Sequence, residues 1–406
     1  MKALPVLAAL ALPLFLAGGT RTLAQAPACN VLAATVDQAG AGCQRVWFDR
    51  NLKLNDLMSV GTHNSYKTQI PDAVLALLRA QNPNAAITLD YRHPPLVDEL
   101  NAGARQLEID VYYDPQGGRF LHPVLPTKAG LTQPDAWKAE FARPGFKVMH
   151  VPDVDVLSSC WTLVDCLTVI RTWSQAHPAH TPVLLMFNTK NDKSSQAGGT
   201  DAIPFDEAAY DALDAEIRSV LTPSMLITPD DVQGRFPTLR EAVLADNWPT
   251  LGAARGKVLF ALDENAAKVA LYRGQRKNLE GRVFFINTDE ASPAAAYLTL
   301  NDPVAQADQI RRDVAAGFIV RTRADADTRE ARANDTSRRT AALASGAQWV
   351  STDYMFTDPS LHNDYQVRLP QARATVCNPV RAAEKCGRFA VDVTPISHPV
   401  IMRVLS

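Results

Sequence analysis

Apolar and polar positions alternate along this chain in two kinds of block. Short runs bounded by polar residues recur at 57–61, 105–113, 146–150, 182–187, 257–263, 283–287, 318–323 and 348–353. Most are nearly continuous apolar segments, such as Val183-Leu184-Leu185-Met186-Phe187, which is the pattern of strands buried on both faces of a parallel sheet. Between them, apolar residues spaced by three and four predict helices over 163–176, 205–221, 237–245, 304–316 and 335–346, with Gly317 and Gly346 placed to end two of them. Strand and helix alternating around eight strands predict an α/β fold, a TIM-type (β/α)8 barrel. An open doubly wound sheet shows the same alternation, but no phosphate-binding glycine fingerprint follows the first run.

The ends read differently. Lys2 leads into an apolar stretch from Ala3 to Ala17, then small residues and Ala24-Gln25-Ala26, the layout of a signal peptide over 1–26 with its cut between Gly18 and Ala28. That stretch is shorter than the roughly 20 residues that span a bilayer. The expectation is therefore a secreted or periplasmic protein, with an N-terminal extension over 27–45, a catalytic unit over 46–360 and a C-terminal extension over 361–406. Export makes the six cysteines informative, and their local grouping predicts Cys29–Cys43, Cys160–Cys166 and Cys377–Cys386 among the 15 possible connectivities. Thiolate zinc sites lack the usual spacing. Lys plus Arg (41) nearly balances Asp plus Glu (43), so no global field recruits nucleic acid or an anionic bilayer, and membrane contact must be local. Residues 73–78 could provide such a contact, but burial of a helix in the barrel wall is the better account of them. A monomer is expected.

Chemistry gathers where barrel strands end. The first run ends in Gly61-Thr62-His63-Asn64-Ser65-Tyr66, the second carries Glu108-Ile109-Asp110, the third ends at His150 and the fourth in Asn188-Thr189-Lys190, while Arg321 and Arg323 lie on the seventh. Alternate strand residues share a face, which pairs Glu108 with Asp110, Asn188 with Lys190, and Arg321 with Arg323. Two carboxylates on one face of an apolar strand need positive charge. A hard cation held by Asn64, Glu108 and Asp110 meets that need, calcium ahead of magnesium; an ion pair with Arg105 or a lysine is the structural alternative. His63 and His150, two imidazoles expected to titrate near neutrality, are suited to moving protons on a phosphate.

The motifs Ser59-Val60-Gly61-Thr62-His63-Asn64-Ser65-Tyr66, Leu107-Glu108-Ile109-Asp110 and Lys147-Val148-Met149-His150 resemble the catalytic region of phosphatidylinositol-specific phospholipases C. The bacterial calcium-dependent branch is the better match, through Pro144-Gly145-Phe146 before the third motif, Val151-Pro152-Asp153 after it, Phe187-Asn188-Thr189-Lys190 and Val350-Ser351-Thr352-Asp353-Tyr354; the resemblance covers about residues 46–360. It implies attack of an inositol 2-hydroxyl on phosphorus, releasing diacylglycerol and a cyclic inositol phosphate. It also implies calcium ligands at Asn64, Glu108, Asp110 and Asn188, with Glu108 a candidate general base. His63 and His150 would steady the phosphorane and protonate the leaving oxygen. Lys190, Arg321, Arg323 and Tyr354 are candidate substrate contacts, Asp353 a weaker one.

Two departures matter. Asn188 stands where animal enzymes place a third acidic ligand, which predicts weak calcium binding without substrate. Arg323 stands in place of an aromatic residue that stacks on the sugar, unless it forms a surface pair with Asp325 or Asp327. Two other functions fit part of the pattern: a glycerophosphodiester phosphodiesterase, which shares the Glu-x-Asp pair and two histidines but usually shows arginine and glycine after the first histidine, and a non-catalytic lipid- or glycan-binding relative.

Overall fold

A computed structural model of the chain describes residues 29–397. Eleven strands are present there: β1 Leu57–Thr62, β2 Gln106–Asp114, β3 Gly145–Val148, β4 Val183–Thr189, β5 Leu226–Ile227, β6 Val258–Leu262, β7 Phe284–Ile286, β8 Tyr297–Thr299, β9 Ile319–Arg323, β10 Trp349–Thr352 and β11 Thr375–Cys377. They form two sheets, ordered β11-β1-β10-β9-β8 and β3-β2-β4-β6-β5, with β7 also pairing β6. All pairings are parallel except those of β3 with β2 and of β11 with β1. The strand interiors are buried, as the continuous apolar runs require.

The expected closed barrel is therefore met as two mixed sheets without a continuous ladder around them. At one seam, Arg105 N–H donates to Val60 O (3.0 Å) and Ser65 N–H to Glu108 O (3.0 Å). Gly61 allows this approach, since a Cβ there would lie 2.2 Å from Gln106 O. At the other seam a lone bridge joins Asn287 to Tyr297. Two strand expectations change. The run at 146–150 pairs antiparallel to β2, because an apolar run carries no direction. Tyr297–Thr299, too short to show a period, supplies a parallel strand that the pattern did not reveal.

The helices fall where the spacing put them. Leu163–Ala176 begins with Thr162 accepting Asp165 N–H (3.2 Å), and Glu207–Val220 with Asp206 accepting Ala209 N–H (2.8 Å). Leu239–Leu244 follows, while Ala307–Ala316 and Ser337–Ser345 stop at Gly317 and Gly346, both with positive φ. Residues 73–78 lie in helix Asp72–Gln81, whose Val74, Leu75 and Leu78 pack on Ile70, Ala86, Leu125 and Val154. Among the described residues no helix is long and apolar enough to cross a membrane. The expected signal peptide lies outside them.

All three expected disulfides are present: Cys29–Cys43, Cys160–Cys166 and Cys377–Cys386. The segments flanking the strands converge, burying Val36, Trp47 and Phe48 from one with Ala382, Cys386 and Val391 from the other. From the second, Asp392 reaches the N-terminal ends of β2 and β4, where its Oδ2 accepts from Arg105 Nε (2.7 Å), Thr181 N–H (3.0 Å) and Thr181 Oγ1 (2.6 Å).

Candidate active site

The candidate residues gather toward the C-terminal strand ends. Where β1 finishes, the backbone turns at Asn64 through a positive φ of 51°, so His63 and Asn64 leave the strand in different directions. His63 Nδ1 lies 2.7 Å from Asp353 Oδ1, just past β10, and its Nε2 lies 3.5 Å from Glu108 Oε1. Arg323 Nη2 reaches Asp353 Oδ2 (3.2 Å), and Arg323 Nε donates to the Asp325 carbonyl (3.0 Å). Burial acts to raise the Asp353 pKa, yet His63 and Arg323 hold it well below the usual carboxylate range. An ionised Asp353 places the proton of neutral His63 on Nδ1 and turns the Nε2 lone pair toward Glu108. The expectation of two imidazoles titrating near neutrality does not hold for His63, which burial, with Arg323 close by, pushes down to about 3.

Glu108 and Asp110 face the interior together, as strand alternation requires, but each has a cation beside it. Arg321 Nη2 donates to Glu108 Oε2 (2.7 Å), and Lys190 Nζ stands 2.8 Å from Asp110 Oδ2. Arg105, the partner first considered, is taken by Asp392. Register explains the rest: Asp110 pairs with Asn188 across β2 and β4, and Asn188 Nδ2 reaches Glu108 Oε1 (3.0 Å). Burial pushes the Glu108 carboxyl up to about 8 against the pull of Arg321. At Lys190 pairing outweighs burial: burial would lower its pKa, but Asp110 raises it above the ordinary lysine value.

His150 follows β3 and enters the same region from the opposite side. Its Nδ1 is 3.0 Å from Asp155 Oδ2, an oxygen that also lies 3.3 Å from Lys67 Nζ. Tyr91 joins the two histidines, its ring centroid lying 6.0 Å from that of His63 and 6.3 Å from that of His150. His63, His150, Lys190 and Arg323 keep 20, 13, 24 and 15 % of their side chains exposed, so they form the mouth of the site. Glu108, Asp110 and Arg321, at 3, 0 and 1 %, form its floor. Tyr354 is buried edge-on against Tyr365 (5.9 Å). Sequence reasoning missed Tyr91, Asp155 and Lys67, which act through contacts that no local spacing announces.

Among the described residues, no three His, Cys, Asp or Glu side chains converge as a metal site. The expected donor set contains only two carboxylates and otherwise amides, so a hard cation is tested by its oxygens. Asn64 Oδ1 and Asp110 Oδ1 are buried and lack a hydrogen-bond partner among the described residues. Buried acceptors in that condition are costly unless something positive meets them. Neutral amide and carboxylate oxygens are the ligands calcium takes. The residues fit calcium, which would compete with Lys190 for Asp110.

Comparison with known proteins agrees in kind. No curated protein matches the chain. Among solved structures, the chain is similar to a calcium-dependent phosphoinositol-specific phospholipase C from a Gram-negative bacterium, Pseudomonas sp, in its apo form, myoinositol complex, with 16% identity over 80% of this chain and 96% of that one and a TM-score of 0.47. A Ca2+-dependent phosphatidylinositol-specific phospholipase C from Streptomyces antibioticus shares 18% identity over 74% and 95%, TM-score 0.47. The phosphatidylinositol-specific phospholipase C of Listeria monocytogenes shares 13% over 78% and 94%, TM-score 0.43. The family model for Ca2+-dependent phosphoinositide phospholipase C matches residues 52–379, and the chain belongs to that family.

Proposed function

We propose that this protein is a secreted, monomeric phosphodiesterase that cleaves phosphatidylinositol-type lipids at a membrane surface to diacylglycerol and cyclic inositol phosphate. In this reading the two sheets act as one barrel over residues 46–360 with flanking segments 27–45 and 361–406, of which Val36 from the first and Ala382, Cys386 and Val391 from the second pack together at the lower end. One observation carries the proposal: two buried, unpartnered oxygens, Asn64 Oδ1 and Asp110 Oδ1, lie beneath a mouth edged by His63 and His150.

Asn64, Glu108, Asp110 and Asn188 would hold calcium, which when bound supplies charge compensation to a phosphate oxygen and acidity to the inositol 2-hydroxyl. Glu108, as the carboxylate that a bound cation and Arg321 favour, would take the hydroxyl proton, with Arg321 holding it in position. The freed oxygen attacks phosphorus, and the bond to the diacylglycerol oxygen breaks. His150, turned by Asp155, delivers the proton to that oxygen. An incoming phosphate adds negative charge beside His63, which raises the proton affinity of the ring and lets it steady the phosphorane. Lys190 and Arg323, partly exposed at the mouth, contact the phosphate or the sugar. Tyr354 closes the wall behind Asp353.

The ion pairs favour one competing reading, a lipid- or glycan-binding relative in which Arg321 and Lys190 stand permanently where a metal would act. Turnover of phosphatidylinositol vesicles with calcium, with chelator, and in His63→Ala and His150→Ala variants separates the two. The expected result is calcium-dependent diacylglycerol release that falls about 10²- to 10⁴-fold in each variant. Chelator-insensitive release removes the metal role. Cleavage of glycerophosphoinositol alone selects the glycerophosphodiesterase, and a folded protein inert on both is the binding relative.

A further inference from the structure

The oxygen that Asn64 leaves without a partner poses a question about the other half of its amide. A terminal amide can rotate to exchange its oxygen and nitrogen, and in one orientation Asn64 would present two N–H donors to a cation, the wrong charge altogether. Something must choose. Asn64 Nδ2 donates to Tyr91 Oη (2.7 Å), so the nitrogen is claimed and Oδ1 is turned the other way. The same phenol oxygen lies 3.3 Å from His63 Nδ1, whose main partner is Asp353. One acceptor atom thus meets two consecutive residues at the point where the chain leaves β1 with positive φ.

Tyr91 is itself well fixed. Lys67 Nζ sits 4.7 Å from its ring centroid and donates to the Tyr91 carbonyl (2.6 Å). His93 packs edge-on at 5.8 Å and its Nε2 lies 2.8 Å from the His63 carbonyl. The hydroxyl therefore has little freedom to follow a rotating amide. The backbone position of Asn64 could be kept without it; the amide nitrogen would lose the acceptor that holds it.

We propose that the Tyr91 hydroxyl is a positioning group for the cation site, holding Asn64 with its oxygen, and not its nitrogen, toward Asp110 and Glu108. This rests on the calcium reading above, and the residue acts through Asn64 without touching substrate. Tyr91→Phe removes the hydroxyl and keeps the ring between the histidines. Nothing that the ring packs against is lost, so the metal-free melting temperature should stay within a few degrees of wild type, while the amide becomes free to turn.

The test is a calcium titration of wild type and Tyr91→Phe, followed by the calcium-dependent rise in melting temperature in the presence of inositol 1-phosphate, with phosphatidylinositol turnover measured in parallel. Outer-shell hydrogen bonds to metal ligands typically contribute 10- to 100-fold in affinity. The expected outcome is a calcium midpoint about tenfold higher in Tyr91→Phe by both readouts, with turnover recovering at high calcium. An unchanged midpoint in the folded variant overturns the inference and leaves the proposed function standing. Absence of any calcium response in wild type overturns the calcium reading itself, and the inference with it. Should Tyr91→Phe melt much lower without calcium, His93→Gln, which disturbs the packing on the ring and keeps the hydroxyl, reports the packing contribution; a midpoint shift in Tyr91→Phe that His93→Gln does not show supports the assignment, and an equal shift in both overturns it.

Discussion

The two ends of the strands each bury a carboxylate next to a cation, and they do opposite things with it. At the N-terminal ends, Asp392 is saturated: Oδ2 takes Arg105 Nε and both donors of Thr181, and Oδ1 takes Thr394 N–H (2.8 Å). At the C-terminal ends, Asp110 has Lys190 at one oxygen and nothing among the described residues bonded at the other, with Asn64 Oδ1 in the same state. Burying charge is tolerated when hydrogen bonds complete the shell, which marks the lower pair as a fastening for the C-terminal segment. Acceptors left incomplete in a buried site are retained where a ligand completes them. The chemistry is the same at both ends; what differs is whether every oxygen has been answered.

The largest expected effect breaks the saturated end. Asp392→Asn keeps the shape and strips Arg105 of its counter-charge, and loss of one partner in a buried pair typically costs about 3–5 kcal/mol. Denaturant melts should show that loss, with turnover per folded molecule unchanged. The pH dependence has a definite sign. Burial acts to raise the Asp392 carboxyl, but Arg105 outweighs it and holds the group below the usual carboxylate range. Its contribution is thus complete above the unfolded value of about 3.9 and is lost as pH falls through the folded value. The gap between wild type and variant should be flat from neutral pH to about pH 5 and close only in stronger acid. A gap that widens with acid would contradict the ion pair.

A smaller effect sharpens the unfinished end. Asn188→Glu adds the carboxylate that the animal enzymes carry and removes the donor now bonded to Glu108 Oε1. Without calcium the third negative charge should lower the melting temperature. With calcium, affinity should rise about tenfold, or about 1.4 kcal/mol, because ligand charge tunes calcium sites. A calcium midpoint that does not move places Asn188 outside the ligand shell.

The contrast between the ends also separates what sequence could reveal. Segments long enough to show a period were legible: the helix at Leu163–Ala176, the strand that leads into His63 and the strands carrying Glu108 and Asn188 lie where apolar spacing put them. The three-residue β8 and the direction of β3 were not, because length and polarity of a run say nothing about its partner. At the site, motif residues were legible because they sit on the predicted strands or just past their ends. Tyr91 and Asp155 lie in loops, joined to the motif only through space, as Asp392 is joined to Arg105 across most of the chain. The neutral state of His63 was likewise hidden, since it depends on burial and on Arg323 arriving from β9.

The smallest effect tests whether the ends are independent. Thr375, on β11, places its hydroxyl 2.9 Å from Ser59 Oγ and 2.6 Å from Thr181 Oγ1, tying β1 to the segment entering β4 beside Asp392. Thr375→Val preserves the shape and removes that hydroxyl, while Thr181 keeps its bond to Asp392 Oδ2. A neutral buried hydrogen bond contributes about 1 kcal/mol, so a loss of that size is expected in denaturant melts. Ser59 lies on β1, four residues before His63, which follows the strand, and a rigid β1 would carry any shift upward. The saturated network around Asp392 should absorb it instead, leaving the calcium midpoint and turnover at wild-type values. A changed midpoint would mean that β1 transmits strain between the ends, and that the fastening below helps to set the geometry of the site above.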